Sequence, residues 1–231
     1  METNTLKAPR SSSPLSTQRV QVLIVDDHPL VRKGLAETIS AESDMEVCGE
    51  AADPTEALRL VEAVRPQVMI VDLSLKSGHG MDLIEHVKAH DDQIKMIVAS
   101  VHDETLFAER VLRAGAVGYV NKQEPTERII DAIRKVMRGE IALSPRMANR
   151  LLHTVVGGEP LGRDPIQNLS NRELEVFDMI GQGMSTKQIA SKLHLSHKTI
   201  ETHREKIKTK LNLNNANELS HRAVQWVLER R

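Results

Sequence analysis

Val22-Leu23-Ile24-Val25-Asp26-Asp27-His28-Pro29 decides how this chain folds. Four consecutive apolar residues suit a strand of a parallel sheet, buried on both faces, better than the alternation of a half-exposed strand. Two acids end the run, and Pro29 fits the first position of a helix, where its fixed φ is preorganised and its missing N–H costs nothing. The same figure returns downstream, where Val68-Met69-Ile70-Val71 closes on Asp72. Working outward, strands are predicted over 21–25, 46–49, 67–71, 95–99 and 118–120. Helices follow them over 29–40, 54–64, 80–90, 104–114 and 125–138, with apolar residues at spacings of three and four. Asp53 and Glu56 have the spacing of a helix-capping pair. Strand and helix alternating in this way predict an α/β, doubly wound, five-stranded parallel sheet over 20–139.

Outside that unit the rhythm is lost. Residues 1–19 are rich in Ser, Thr and Pro, lack the apolar stretch of a signal peptide, and read as a disordered tail. Residues 140–168 read as a linker, punctuated by Gly157-Gly158-Glu159-Pro160-Leu161-Gly162. Over 169–231 four helices are signalled and no strand. Ser170 with Glu173 and Ser185 with Gln188 form S-x-x-E/Q capping boxes, Asn215 with Glu218 is a weaker version, and another helix begins near Ser196. The second domain is therefore expected to be an all-α four-helix module.

A length of 231 residues suits two modest domains, and no apolar run is long enough to span a membrane. A soluble, cytoplasmic protein without a membrane partner is expected. The single cysteine, Cys48, excludes an internal disulfide and a multi-cysteine metal site, and its place in a strand reads as a buried structural thiol. The net charge of -1 conceals an asymmetry. Residues 20–139 carry 14 basic and 21 acidic side chains, whereas residues 169–231 carry 11 and 7. The two halves are built for different partners, the second being compatible with a polyanion.

In a parallel sheet every strand ends on one edge, and ligands bind there. Asp26 and Asp27 end the first strand and Asp72 the third. Three converging carboxylates repel one another unless a cation compensates, and Mg²⁺ suits one or two carboxylates plus water and phosphate oxygens. Ser100, beyond the fourth strand, and Lys122, beyond the fifth, reach the same edge. These parts suit phosphoryl transfer, in which positioning and charge neutralisation dominate. Asp72 is then the nucleophile, Asp26 and Asp27 hold the metal, Lys122 pairs with phosphate oxygens, and Ser100 donates a hydrogen bond to the arriving group.

Val25-Asp26-Asp27-His28-Pro29, Val71-Asp72-Leu73-Ser74-Leu75, Ala99-Ser100 and Ala114-Gly115-Ala116-Val117-Gly118-Tyr119-Val120-Asn121-Lys122 together resemble the flavodoxin-like receiver domains of response regulators. The resemblance implies phosphorylation of Asp72 by a sensor histidine kinase, with Mg²⁺ on Asp26, Asp27, Asp72 and the backbone carbonyl of Ser74. It also implies that Ser100 and Tyr119 couple phosphorylation to a rearranged surface. The chain departs from the pattern at Gln123 and in Lys76-Ser77-Gly78-His79-Gly80, two places where proline is common.

In the C-terminal part, Leu174, Val176, Phe177 and Ile180 give one amphipathic face, and Ile189, Ala190 and Leu193 another. Ile200, Ile207 and Leu211, then Leu219, Ala223 and Val227, complete a small shared core. Only His194-Leu195-Ser196 separates the second helix from the third, a connection short enough for a helix-turn-helix. The far side of the third helix presents Lys198, Thr202, Glu205 and Thr209, flanked by Thr199, Glu201, Lys206 and Lys208, to the major groove. Glu201 and Glu205 must contact a cytosine amino group, orient a nearby Lys or Arg, or face away. Leu169-Ser170-Asn171-Arg172-Glu173-Leu174, Gly183-Met184-Ser185-Thr186-Lys187-Gln188-Ile189-Ala190 and Leu195-Ser196-His197-Lys198-Thr199-Ile200-Glu201-Thr202-His203 resemble the LuxR-type helix-turn-helix, and the whole chain a NarL/FixJ-type response regulator. The resemblance implies a supporting helix over 186–193, which adds Thr186 and Lys187 to the DNA contacts, and a recognition helix over 197–211. It further implies homodimerisation on DNA through the final helix, whose Leu219, Ala223 and Val227 are equally suited to the domain's own core.

The expected function is that of a two-component response regulator. Phosphorylation of Asp72 shifts a receiver–effector equilibrium and so controls transcription through sequence-specific binding to double-stranded DNA. Its only catalysis is acceptance and slow loss of its own phosphoryl group. Two other readings stay open on the residues alone: a Mg²⁺-dependent phosphohydrolase using Asp72, and a phosphorylation-gated protein-interaction module. Nucleotide binding is disfavoured, since no G-x-G-x-x-G or P-loop follows the first strand.

Overall fold

A computed structural model describes residues 19–76, 78–157 and 165–229. The expected tail therefore lies outside the described residues except for Arg19, as does the Gly/Pro-rich centre of the expected linker. Strands β1 (Val20–Val25), β2 (Met45–Ala51), β3 (Val68–Val71), β4 (Lys95–Ser100) and β5 (Gly118–Asn121) form one parallel sheet in the order β2-β1-β3-β4-β5. Helices α1 (Pro29–Ser40), α2 (Pro54–Val64), α3 (Gly80–His90), α4 (Glu104–Ala114) and α5 (Glu127–Met137) cover both faces. Alternate residues of the strands serve the two layers. Val22, Ile24, Val68, Ile70 and Ile97 pack with Leu35 and Ile39 of α1 and Ile129 and Ile133 of α5. Leu23, Val25, Met69, Val71, Met96 and Val98 pack with α2, α3 and α4. The strand order reverses between β1 and β3, the point where doubly wound sheets open a crevice for ligands. Asp26, Asp27 and Asp72 stand at that point.

The segment after α5 departs from a plain linker. Ala142 bridges Gly118, its N–H bonding the Val117 carbonyl at 2.9 Å while its carbonyl accepts from Tyr119 N at 2.8 Å. A Cβ on Gly118 would lie 3.0 Å from that of Ala142, so glycine permits this close pass along the sheet edge. Ser144 is then held by the Glu104 carboxylate through both its N–H and its hydroxyl, and helix α6 (Pro145–Gly157) follows. This ordering depends on contacts with α4 and β5, which a local pattern of turn residues does not display.

The C-terminal module comprises α7 (Asn171–Gly181), α8 (Thr186–Lys192), α9 (His197–Lys210) and α10 (Ala216–Leu228). Both expected capping boxes form, on Ser170 with Glu173 and on Ser185 with Gln188. Ser196 and Asn215 cap α9 and α10 by accepting from Thr199 N and Glu218 N. The face of α10 offered for dimerisation is consumed within the chain. Leu219 and Ala223 are fully buried and Val227 partly so, with Trp226 set 5.3 Å from Phe177 of α7. Gly181 lets the helices approach, since a Cβ there would stand 2.4 Å from the Ala223 carbonyl. Beyond the first turn, the outward residues of α10 are His221, Val224, Gln225 and Leu228. Cys48, expected to be buried, is only partly covered on β2, and that burial pushes its thiol pKa up.

Candidate phosphoacceptor site and nucleic-acid interface

Four of the five strands place chemical groups on the same edge, β1 two carboxylates, β3 one, β4 the Ser100 hydroxyl and β5 the Lys122 ammonium. Asp26, Asp27 and Asp72 are almost completely buried. Lys122 Nζ reaches Asp26 Oδ2 at 2.6 Å and Asp72 Oδ2 at 2.8 Å, so one ammonium neutralises two carboxylates. Burial pushes the Asp72 pKa up, Lys122 pulls it down, and the charge of Asp26 raises it again. The Ser74 N–H points to Asp72 Oδ1 at 3.4 Å. Among the described residues neither oxygen of Asp27 accepts a hydrogen bond, although His28 Nδ1 lies 2.7 Å from one of them. Asp26, Asp27, Asp72 and the exposed His28 offer ligand atoms within 4.8 Å of one another, and the three carboxylates among them are hard oxygen donors of the kind Mg²⁺ takes.

Ser100 is buried at the end of β4 and Tyr119 within β5. The Tyr119 hydroxyl donates to the His102 carbonyl at 2.9 Å, and Ser100 Oγ accepts from His102 N at 3.3 Å. Both expected switch residues thus hold the loop that carries His102. Sequence reasoning passed over Gly80: a Cβ there would fall 2.0 Å from the Asp72 carbonyl oxygen, so the first residue of α3 must be glycine for the acceptor loop to close. A glycine opening a helix was the available signal.

Sequence reasoning also missed a buried carboxylate from the other domain. Glu175 of α7 is fully buried against the receiver loops. Its Oε1 lies 3.2 Å from Ser74 Oγ, 3.2 Å from His102 Nε2 and 3.3 Å from His79 Nε2, while Arg172 Nη1 donates to its Oε2 at 2.8 Å. His79 Nδ1 accepts from Met81 N at 3.1 Å, which leaves the ring proton on Nε2, facing Glu175. Burial opposes the Glu175 charge, but His102 and His79 outweigh it and hold the carboxyl well below the usual range. A second grip lies on α4, where Arg110 donates to the Leu169 carbonyl at 2.8 Å and to Asn171 Oδ1 at 3.1 Å. No short motif marks Glu175, because its partners lie about 70 to 100 residues earlier in the chain.

The recognition-helix residues Lys198, Thr202, Glu205 and Lys206 are exposed, as is Lys187, and Thr186, Thr199 and Glu201 are partly so. The two glutamates are engaged locally. Glu201 accepts from the Thr186 hydroxyl at 2.9 Å and lies 3.9 Å from Arg204, and Glu205 pairs with Lys208 at 2.9 Å. Glu201 therefore ties the supporting helix to the recognition helix. His194, in the turn leading into α9, comes within 4.0 Å of Asp27. The leading end of the recognition helix thus abuts the acidic edge of the receiver.

A doubly wound domain with this carboxylate–lysine edge, joined to a helix-turn-helix, defines a response regulator. The chain belongs to the response regulators of NarL/FixJ type: residues 22–134 match the response regulator receiver domain, and residues 167–223 the bacterial regulatory proteins of the luxR family. It is 36% identical over 211 residues to the oxygen regulatory protein NreC of Staphylococcus carnosus (strain TM300), covering 89% of this chain and 97% of that protein. NreC of Staphylococcus aureus (strain JH9) is 35% identical over 212 residues, with the same coverage. Among solved structures, RcsB of Salmonella enterica serovar Typhimurium bound to promoter rprA with phosphomimetic BeF3- superposes with a TM-score of 0.58 at 27% identity, covering 88% of this chain and 98% of that one. A LuxR-family response regulator of Aurantimonas sp. SI85-9A1 matches at a TM-score of 0.56 and 31% identity over 60% of this chain and 99% of its own.

Proposed function

We propose that Asp72 accepts a phosphoryl group from a sensor histidine kinase, and that this event decides how tightly the DNA-binding half is held. The observation that carries the reading is the Asp72 carboxylate, buried and 2.8 Å from Lys122 at the switch point of the sheet. A carboxylate oxygen of Asp72 attacks phosphorus, and the bond to the donor's histidine nitrogen breaks with its electron pair left on the imidazole. Lys122 exchanges its pairing with Asp72 for the incoming phosphoryl oxygens, and the Ser100 hydroxyl donates to one of them. The oxygens of Asp27, which accept no hydrogen bond among the described residues, fit a hard cation, and Asp26, Asp27, Asp72 and the Ser74 carbonyl would hold Mg²⁺. When bound, Mg²⁺ supplies charge neutralisation and a template for the phosphoryl oxygens.

Ser74, His79 and His102 stand on the loops around the acceptor and also hold Glu175. Occupancy of the acceptor shifts those loops, loosens Glu175, and moves the receiver from the leading end of α9. Lys187, Lys198, Thr199, Thr202 and Lys206 then face DNA, with Thr186 and Glu201 fixing the angle between the two helices and Glu205 orienting Lys208. Two copies pair on the duplex through the outer face of α10, the faces of Leu219, Ala223 and Val227 being spent in the core. We place the protein in the cytoplasm, where such a kinase domain and DNA are both present. The test is mass spectrometry of the full chain and of Asp72→Ala after incubation with Mg²⁺ and acetyl phosphate. A phosphoryl adduct on the wild type alone supports the assignment; equal adducts on both overturn it.

A further inference from the structure

The receiver and the DNA-binding domain together build a second donor set, which shares Asp27 and His28 with the acidic edge and adds the imidazole of His194. Asp27, His28 and His194 offer one ligand atom each, all within 4.8 Å of one another. His28 Nδ1 stands 2.7 Å from Asp27 Oδ1, and His194 Nε2 stands 4.0 Å from Asp27 Oδ2, with the two imidazole rings 6.4 Å apart. The Asp27 side chain is 1% exposed and among the described residues neither of its oxygens accepts a hydrogen bond, although one lies near each histidine. The histidines are about half and two-fifths exposed, which leaves the cluster open to solvent on one side. Lys76 Nζ, 3.9 Å from Asp27 Oδ2, is the nearest competing cation, and its own half-exposed side chain is free to swing into water.

We propose that these three residues bind a borderline divalent transition-metal ion, with Zn²⁺ as the type case, and that the bound ion staples the DNA-binding domain to the receiver. Imidazole nitrogens favour such ions, whereas an all-oxygen set favours Mg²⁺. Zinc takes nitrogen and oxygen ligands at about 2.0–2.2 Å, so an ion there draws His194 Nε2 inward from its 4.0 Å separation to join Asp27 and His28, with water in the fourth position. The two sites draw on the same Asp27 carboxylate, so an ion in one competes with an ion in the other for its charge and lone pairs. Zinc in the interdomain site therefore has two effects. It pins the turn that leads into α9, and it takes from Mg²⁺ one member of its carboxylate set. The second effect rests on reading Asp72 as the phosphoacceptor; the staple itself does not.

The test uses the full chain. Co²⁺ serves as the spectroscopic probe and Zn²⁺ as the competitor, with His194→Ala and His194→Gln as variants and circular dichroism as the check that each folds. The wild type is expected to bind one ion per chain with a visible d–d band that Zn²⁺ bleaches. Both variants are expected to lose the band and to bind Zn²⁺ about 100-fold more weakly, the upper end of what removal of even an outer-shell partner costs. Zn²⁺ should slow Mg²⁺-dependent loading of acetyl phosphate on the wild type and leave the His194 variants unaffected. An unchanged Co²⁺ band and Zn²⁺ affinity in folded His194→Ala would overturn the proposal. Failure of every form to label in zinc-free buffer would instead count against Asp72 as acceptor, while leaving the metal titration interpretable.

Discussion

Glu175→Gln is the perturbation whose effect the structure lets one size. The carboxylate meets three receiver groups on Oε1, namely His79, His102 and Ser74, and its own domain's Arg172 on Oε2. Glutamine keeps the shape and one acceptor oxygen but removes the charge. Hydrogen bonds to a charged group contribute about 1.5–3 kcal/mol against about 0.5–1.5 for neutral ones, so each loses roughly 1 kcal/mol. Of the three contacts on Oε1 only Ser74 makes a hydrogen bond, while the two imidazoles stand at ion-pair distance and His79 Nε2 makes no hydrogen bond among the described residues, which makes about 2 kcal/mol the reasonable sum for the interdomain contact. At about 1.4 kcal/mol per decade, the equilibrium moves roughly 30-fold toward separated domains. Because apparent affinity scales with the competent fraction, unphosphorylated Glu175→Gln should bind a random-sequence duplex up to about 30-fold more tightly than wild type. Fluorescence anisotropy reads this, and small-angle scattering should show a larger radius of gyration. A double-mutant cycle with His102→Gln should return a coupling of about 1–2 kcal/mol. Identical affinity and identical radius of gyration for Glu175→Gln and wild type would refute the reasoning.

Further outcomes follow from the same geometry. Gly80→Ala puts a methyl group 2.0 Å from the Asp72 carbonyl oxygen and should destabilise the receiver by about 1–3 kcal/mol in urea unfolding while impairing acetyl-phosphate labelling. Lys122→Met leaves two buried carboxylates without their counter-charge. A loss of about 3–5 kcal/mol at neutral pH is expected, partly recovered by added Mg²⁺ and visible in the unfolding midpoint. Glu173 is opposed by burial but held below the usual carboxylate range by Lys210 at 2.7 Å and the Ser170 cap. Its contribution is fully present above the unfolded pKa of about 4.3 and is lost as pH falls through the lower folded value. Glu173→Gln should therefore be less stable than wild type at pH 7, with the gap closing in acid; a gap that widens in acid would contradict the assignment.

Much of the fold is legible in runs such as Val22-Leu23-Ile24-Val25, because burial on both faces of a parallel strand writes a continuous apolar signal. The caps at Asp53, Ser170, Ser185 and Ser196 are legible for a similar reason, each acting over three residues. The site residues Asp26, Asp27, Asp72, Ser100 and Lys122 become visible once the strand ends are known to share an edge. Contacts between distant segments are not legible. Glu175 sits beside Leu174 and Val176 on a helix buried nearly all round, so amphipathic spacing gives no hint that it enters the receiver. Likewise Leu219, Ala223 and Val227 show that α10 has an apolar face, but only packing on Phe177 and Gly181 shows that the chain itself covers it. Ala142 and Ser144 are ordered by β5 and α4, partners that their own neighbourhood does not name.

The central claim is that phosphorylation of Asp72 releases the DNA-binding domain. Its most direct test is duplex affinity measured on one preparation before and after labelling with acetyl phosphate and Mg²⁺, with Asp72→Ala run in parallel. The account predicts that affinity rises with the fraction of wild-type chain labelled, while Asp72→Ala takes no label and keeps its basal affinity. Full labelling of Asp72 with no change in DNA affinity would contradict it.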